Sequence, residues 1–279
     1  MKTILRTFVG CTAILFGTAC MGAVKYVPEN MKVELSLKVP GNNAVNYKLH
    51  PDKLENSYFD YEWRSDNKLP ITVFHKVEER DSCMRLTVQL TAAQDVYFNY
   101  RQLLSTGYRH DNCQFYMPGF WYRRNLRSPK KAPSFHTSDS WLVREDRLSA
   151  PLTGIFSEKE KRFMTVNRLD DFSMDALATH KEGEIILSGK TSLGFTGFEN
   201  QQGIAMLSFG FPYREAPKSY IRKLTLAPEV EAFQLMKKGE SVLLTWEIME
   251  SGADDFSDFI QHTCCLLYTS DAADDMQCV

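Results

Sequence analysis

Alternation of apolar and polar residues with a period of two is the feature that most constrains the fold of this chain. In the segment 31–39, MKVELSLKV, every second residue is apolar, and the segment 83–90, CMRLTVQL, follows the same pattern. Successive side chains of a β-strand point to opposite faces of the sheet, so a strand with one buried face shows this period. Both segments are therefore predicted to be half-buried antiparallel strands.

Ten further segments combine β-branched and aromatic residues and are separated by turn-forming residues. They are YFDYEWR (58–64), ITVFHKV (71–77), DVYFNYRQL (95–103), CQFYMPGFWY (113–122), SWLVRED (140–146), RFMTVNRL (162–169), GEIILSGK (183–190), GIAMLSFGF (203–211), YIRKLTL (220–226) and SVLLTWEIM (241–249). About a dozen strands with few helix candidates predict an all-β fold, a large antiparallel two-sheet β-sandwich.

The pattern changes near residues 254–263. Phe256, Phe259 and Ile260 are spaced i, i+3 and i+4, and two aspartates precede them in capping positions. This spacing predicts the first turns of an amphipathic helix. The β-sandwich is accordingly predicted over 24–250 and the start of a helical domain over 251–263.

The N-terminal residues 1–23 have the features of a secretory signal peptide. Lys2 and Arg6 precede an apolar run that ends in small residues at Ala23. The run is short for a membrane span, and no later segment is apolar and long enough for one. We expect an exported protein, periplasmic or at the cell surface, with lipidation of Cys20 as the alternative form of export.

The last sixteen residues, 264–279, do not resemble a functional tail. Cys264, Cys265 and Cys278 lack the paired spacing of a zinc site. The ten residues 265–274, CLLYTSDAAD, resemble the translation of a transposon adapter used in sequencing libraries. We therefore expect 264–279 to be a non-native, adapter-derived tail on a truncated chain.

The composition of the chain argues against some classes of partner and ligand. Its net charge of −2 provides no basic field for nucleic acid. Its six histidines are scattered without metal-ligand spacing, and we predict neither a metal nor a cofactor. Cys83 and Cys113 are the secure cysteines of the mature chain, and export permits a disulfide between them, although two buried free thiols are equally consistent.

The aromatic and basic segment 115–131, FYMPGFWYRRNLRSPKK, is the first candidate binding site. Aromatic faces pack against sugar rings as well as nucleic-acid bases, and arginine forks match carboxylates of acidic sugars. Export and the near-neutral charge argue against nucleic acid. We take Trp121, Arg123 and Arg124 as candidates, and a strand followed by a solvated loop is the structural alternative.

The segment 140–151, SWLVREDRLSAP, is the second candidate. Strand alternation places Arg144 and Asp146 on one face, either as a ligand-facing pair beside Trp141 or as a salt bridge under a loop. No catalytic residue is predicted, because the acidic pairs in the sequence, such as 170–171, are adjacent and would diverge on a strand.

A signal peptide, a β-rich domain and a helix opening with DDFSDFIQHT together resemble a known architecture over roughly residues 25–263. It is the N-terminal β-supersandwich of exported bacterial (Bacteroides-type) glycoside hydrolases with an (α/α)6-barrel. FYMPGFWYRRN and WLVREDRLSAP look like segments of that family. The resemblance implies an oligo- or polysaccharide ligand, acidic glycans included. It also implies that the catalytic carboxylates belong to a missing C-terminal helical domain, so that this chain is an inactive accessory domain.

Two other interpretations stay open, a stand-alone carbohydrate-binding or surface-adhesion domain and the N-terminal domain of a polysaccharide lyase. The apolar helix face of Phe256, Phe259 and Ile260 discriminates between the first interpretation and the binding domain, and nothing in the sequence separates hydrolase from lyase chemistry. A face that lies against nothing implies a missing partner domain, whereas a buried face favours the binding domain.

Overall fold

The structure is a computed structural model. The residues that it describes are 27–55, 57–80, 83–126, 133–171, 181–220 and 226–271, without the side chains of 219–227 and 265–271. The predicted signal peptide 1–23 lies outside these residues, as do 272–279 of the predicted tail and 221–225 of the predicted strand 220–226.

Nineteen strands and one α-helix follow one another along the described chain. They are β1 (Met31–Lys38), β2 (Val45–Lys53), β3 (Tyr61–Arg64), β4 (Ile71–Glu79), β5 (Met84–Ala92), β6 (Val96–Arg109), β7 (Cys113–Met117), β8 (Trp121–Arg123), β9 (Ser140–Arg144), β10 (Leu152–Ser157), β11 (Arg162–Arg168), β12 (Gly183–Ile186), β13 (Phe195–Gln201), β14 (Ile204–Phe211), β15 (Arg214–Glu215), β16 (Ser219–Tyr220), β17 (Leu226–Ala227), β18 (Val230–Met236), β19 (Ser241–Gly252) and α1 (Phe256–Asp271).

The strands form a large, mostly antiparallel β-sandwich, which confirms the predicted fold class. The first layer has the order β9-β13-β14-β6-β1-β2, and the second has the order β8-β7-β10-β11-β19-β5-β4-β3-β2. Strand β2 belongs to both layers, because its residues 45–49 pair with β1 and its residues 50–53 pair with β3. Strand β18 extends the first layer by pairing with β6 and, in parallel, with β12.

The main core lies between the two layers. Val33 of β1 and Phe98 of β6 meet Val88 of β5 and Trp246 of β19 there, and all four are almost completely buried. The alternation predicted for β1 and β5 is observed, since the apolar positions of each strand are buried and most intervening positions are partly or fully exposed. Burial of one face of each layer is the main stabilising contribution.

Four strands of more than two residues were not predicted, β2, β10, β13 and β18, and neither was the two-residue strand β15. Strand β10 is buried at all of its positions and β13 at its first five, so neither alternates. Strand β2 is largely exposed and contains Pro51, which is unusual inside a strand. The period-two signal requires one buried and one solvated face, and these strands lack that asymmetry.

Helix α1 packs on the outer face of the second layer. The carboxylate of Asp255 caps it by accepting hydrogen bonds from the backbone N–H groups of Ser257 (2.7 Å) and Asp258 (3.0 Å). Phe259 is fully buried, and Phe256 is 7% exposed. The apolar helix face thus packs within this chain, with Phe256 and Phe259 buried and Ile260 partly buried, whereas a missing partner domain predicts a face that lies against nothing. No helix among the described residues has the length and hydropathy required to cross a membrane.

Cys83 and Cys113 are free thiols in this structure. Cys113 lies in the core between the layers, whereas Cys83 belongs to the cluster beneath α1 on the outer face. The two side chains therefore lie on opposite sides of the second layer. Burial raises the pKa of both thiols, that of Cys113 to about 12.

Candidate functional site

The hairpin of β7 and β8 determines which aromatic residues of the segment 115–131 are accessible. Its register pairs Met117 with Trp121 and Tyr116 with Tyr122. Since alternate side chains point to opposite faces, Trp121 enters the core and Tyr122 points outward. Gly119 in the hairpin turn has a φ of +79°, and a Cβ atom there would lie 2.6 Å from the hydroxyl of Ser149, so glycine is required.

Residues 122–126, at the end of β8 and directly after it, form a tight turn that we call the cleft loop. Arg123 and Asn125 have φ angles of 55° and 50°, in the left-handed region that non-glycine residues rarely adopt. The indole N–H of Trp121 donates to the carbonyl of Arg123 (2.9 Å), and the N–H of Tyr122 donates to the side-chain oxygen of Asn125 (3.2 Å). Such conformations persist only where the surrounding contacts hold them, and they are common at ligand sites.

Arg124 anchors the cleft loop to the rest of the hairpin. Its guanidinium donates to the carbonyl oxygens of Cys113 (3.1 Å) and Asp111. It also lies 4.9 Å from the ring centroid of Phe135, which in turn stacks on the buried ring of His110, again at 4.9 Å. The loop is therefore supported by a stack of cation, phenyl ring and imidazole that continues into the core.

A cleft of about 560 Å³ opens beside the cleft loop, and Gln114 and Glu158 form its opposite wall. Tyr122 is 53% exposed and Leu126 is 62% exposed, so the cleft presents an accessible aromatic ring next to an aliphatic side chain. The amide of Gln114 donates to the carboxylate of Glu158. The volume lies within the range of small-ligand sites.

The charges of the cleft are unbalanced. Among the described residues, neither Arg123 nor Arg124 forms an ion pair, and Glu158 is the single carboxylate of the lining. Arginines elsewhere, such as Arg101 and Arg168, are each paired with glutamate. The cleft therefore has two arginines in its lining that no described carboxylate neutralises, Arg123 and the carbonyl-anchored Arg124, and this charge suits an anionic ligand.

The cleft does not contain the groups of a hydrolytic centre. Glycoside hydrolysis commonly uses two carboxyl groups on either side of the scissile bond, and the described lining supplies only Glu158. In the described part of the chain, no group of three or more His, Cys, Asp or Glu side chains is arranged to hold a metal ion.

The structure places both predicted tryptophans in the core. Trp121 is fully buried and Trp141 is 2% exposed, and their rings lie 5.2 Å apart. The indole N–H of Trp141 donates to the carbonyl of Ser138 (3.1 Å). Neither ring presents an accessible face, and Trp121 contributes to the cleft through its hydrogen bond to Arg123.

Arg144 and Asp146 form a two-pronged ion pair, with N–O distances of 2.6 and 2.9 Å. Strand β9 ends at Arg144, and Asp146 belongs to a 3-10 turn. The Asp146 side chain is only 3% exposed, and the Arg144 guanidinium lies 5.3 Å from the ring centroid of Tyr213. The structure therefore has the salt bridge under a loop, and neither residue is part of the cleft lining.

Of the six predicted residues, Arg123 and Arg124 line the cleft. Sequence analysis did not select Tyr122, Asn125 or Leu126. The hairpin register would have identified Tyr122, because Cys113, Phe115 and Met117 form an apolar inward set and the partner of Tyr116 must point outward.

A second cavity, of about 400 Å³, lies on the outer face of the first layer. Arg101 there is paired with Glu34 (3.2 Å) and Glu199, and Arg214 is paired with Glu231 (2.5 Å). Its arginines are already neutralised by carboxylates, and five glutamates line it, so this cavity suits an anionic ligand less well than the cleft does.

Comparisons with known proteins do not assign a family. No family model and no curated protein matches the sequence. The structure is similar to a polysaccharide lyase (14% identity, TM-score 0.37, covering 81% of this chain and 26% of that one). It is also similar to a protein from Synechocystis sp. PCC 6803 (8%, 0.39, 77% and 73%) and to an α-galactosidase from Lactobacillus brevis (8%, 0.28, 80% and 29%). The chain thus spans about a quarter of the lyase, and these low scores carry no functional assignment.

Proposed function

We propose that the cleft beside loop 122–126 binds acidic saccharides, and that the chain is a glycan-binding β-sandwich of an exported, periplasmic or cell-surface protein. The observation that carries the proposal is the exposed ring of Tyr122 beside Arg123 and Arg124, which form no ion pair among the described residues. An accessible ring face packs against the C–H face of a sugar, and a guanidinium binds the carboxylate of a uronic acid.

The remaining groups of the cleft are consistent with a hydroxylated ligand. Gln114, Asn125 and Glu158 carry amide and carboxylate groups, which donate to or accept from sugar hydroxyls. Loop 122–126 is held by hydrogen bonds of its own, so little ordering would accompany binding.

Isothermal titration calorimetry with trigalacturonic acid and with cellotriose tests the proposal. We expect heat with the uronate, weaker or no heat with the neutral sugar, and an affinity that falls as salt is added. Tyr122→Ala and Arg123→Ala should each weaken binding by about five- to ten-fold, following the usual energies of ring packing and charge-assisted hydrogen bonds.

Two control variants lie outside the cleft. Tyr58→Ala removes a tyrosine that is 69% exposed elsewhere, and Arg80→Ala removes an exposed arginine. Both should bind like the unmodified chain. The proposal fails if no trisaccharide binds, or if the control variants lose as much affinity as Tyr122→Ala.

The same cleft would serve three protein contexts: a stand-alone binding or adhesion domain, the accessory sandwich of a glycoside hydrolase, or the N-terminal domain of a polysaccharide lyase. Burial of Phe256 and Phe259 within this chain favours the first. The predicted tail 264–279 hides the natural sequence there, so the gene sequence that follows codon 263 in the source genome distinguishes these three contexts. A stop codon there would support the stand-alone domain, and a helical domain with paired inward carboxylates would support an accessory role.

A further inference from the structure

Helix α1 contacts the cleft loop directly. The guanidinium of Arg123 lies 5.3 Å from the ring centroid of Phe256, the first residue of the helix. Arg123 stands at the end of β8 in a left-handed conformation, so strand geometry does not direct its side chain. The Phe256 ring is the aromatic face against which this cation rests.

A second contact connects the helix with the exposed tyrosine. The rings of Tyr122 and Tyr116 meet edge to face, with centroids 5.2 Å apart, and Tyr116 meets Phe259 edge to face at 6.2 Å. Tyr116 is 5% exposed. The ring of Tyr122 is therefore supported from below by a buried residue that is itself packed against the helix.

The helix is a firm support, because its own contacts fix it independently of the cleft. Phe259 packs on Phe156 (5.9 Å) and Phe163 (5.0 Å), and Asp255 caps the first turn. Phe256 and Phe259 also contact each other, at 5.4 Å. A displacement of the helix would therefore remove the supports of Arg123 and Tyr122 together.

We infer that the first turn of α1 positions the saccharide cleft, with Phe256 acting through Arg123 and Tyr116 acting through Tyr122. The inference rests on the proposed function and extends it, because it makes saccharide affinity dependent on the aromatic ring of Phe256 that lies against Arg123. By reciprocity, a bound saccharide holds the helix more firmly on the sandwich.

The first experiment measures trigalacturonic acid affinity in three variants of the chain. Phe256→Leu keeps an apolar side chain but removes the ring, and we expect a loss of about three- to ten-fold. Phe256→Tyr restores an aromatic face and should bind within about two-fold of the unmodified chain. Phe163→Leu is the matched control, because Phe163 packs under the same helix without touching the cleft loop.

Phe163→Leu should lower thermal stability but leave affinity within about two-fold. The inference is overturned if Phe256→Leu binds like the unmodified chain, or if Phe163→Leu weakens binding as strongly as Phe256→Leu does. The latter result would mean that any loosening of α1 has the same effect.

A ligand-free readout separates this inference from the proposed function. The side-chain Nε–H resonance of Arg123, identified by its absence in Arg123→Lys, should be shifted upfield by the ring current of Phe256. The shift should disappear in Phe256→Leu and persist in Phe163→Leu. If trigalacturonic acid does not bind at all, the proposed function fails, and this resonance still decides whether Phe256 positions Arg123. An unchanged resonance in Phe256→Leu rejects the positioning role.

Discussion

The ring of Phe259 lies directly against the backbone of Gly154. A Cβ atom on Gly154 would lie 2.6 Å from Cζ of Phe259 and 3.1 Å from a methyl group of Thr165. The absence of a side chain in the middle of β10 therefore allows α1 to approach the sheet. This contact seats the helix that borders the cleft loop.

Gly154→Ala should accordingly destabilise the chain. The added methyl group must displace the Phe259 ring, and overpacking of this kind costs about 1–3 kcal/mol. Urea unfolding measures the change. Gly252→Ala is the control, since the nearest atom to a Cβ there is a backbone oxygen at 3.7 Å, and its effect should be small. Equal losses of stability in Gly154→Ala and Gly252→Ala would contradict the role given to the contact between Phe259 and Gly154.

A buried histidine should make stability depend on pH. His75 is completely buried, its Nε2 lies 2.7 Å from the hydroxyl of Tyr100, and burial lowers its pKa from 6.5 to about 3. The unfolded chain therefore binds a proton that the folded chain does not, and stability falls as the pH drops from about 6.5 towards 3. The loss should reach roughly 2–3 kcal/mol near pH 4.5.

His75→Gln removes this titration and should flatten the decrease in stability between about pH 6.5 and pH 4.5. Chemical denaturation at several pH values gives the slopes. His50→Gln, which changes an exposed residue, should leave the profile as it is. An unaltered slope in His75→Gln would show that other groups dominate acid unfolding.

Gln102 offers a stabilising substitution. It is fully buried between the layers, and neither polar atom of its side-chain amide has a hydrogen-bond partner among the described residues. Replacement by the similarly shaped methionine removes the cost of burying those atoms, so Gln102→Met should raise the free energy of unfolding by about 1–3 kcal/mol.

Gln234→Met is the matched comparison for this prediction. Gln234 is also buried, but its oxygen accepts a hydrogen bond from the N–H of Thr191 at 2.7 Å. Losing that acceptor should lower stability by about 1–3 kcal/mol. If the free energy of unfolding changes in the same direction in both variants, hydrogen bonding does not explain the difference between the two sites.

The ion pair of Glu145 and Arg168 should matter more than exposed pairs do. Glu145 is completely buried, Arg168 is 5% exposed, and their N–O distance is 2.7 Å. Glu145→Ala leaves the guanidinium with the partly exposed carboxylate of Asp170 (3.1 Å) as its remaining counter-charge and should cost about 3 kcal/mol, the lower end for a broken buried pair. Asp52→Ala, which breaks the exposed pair with Arg64, should cost under about 1 kcal/mol in the same unfolding assay. Comparable losses of stability in the two variants would mean that burial does not determine how much these ion pairs contribute to stability.

Much of the fold could be predicted because alternation is a local property. Strands β1 and β5 each have one face in the core, and their sequences show this directly. Strand β10 could not be found in that way, because α1 covers its outer face and both sets of side chains are buried. The burial of a strand depends on what packs on it, which is not a local property.

The candidate site was predicted only in part, for a related reason. Composition identified Arg123 and Arg124 in an aromatic and basic segment, but it also selected Trp121 and Trp141, whose large rings fill the core. Aromatic residues serve cores and ligand sites equally well, and only their position on a strand distinguishes the two uses.

The sequence by itself determined the all-β architecture, the start of a helix near residue 256 and the segment that carries the cleft, because side-chain periodicity and turn chemistry act over a few neighbouring residues. Only the tertiary structure decided that Tyr122 is exposed while Trp121 is buried, that Arg144 and Asp146 neutralise each other, and that Phe256 supports Arg123. These relationships join residues that are far apart in the chain or depend on strand register, and packing of the two layers and α1 establishes them.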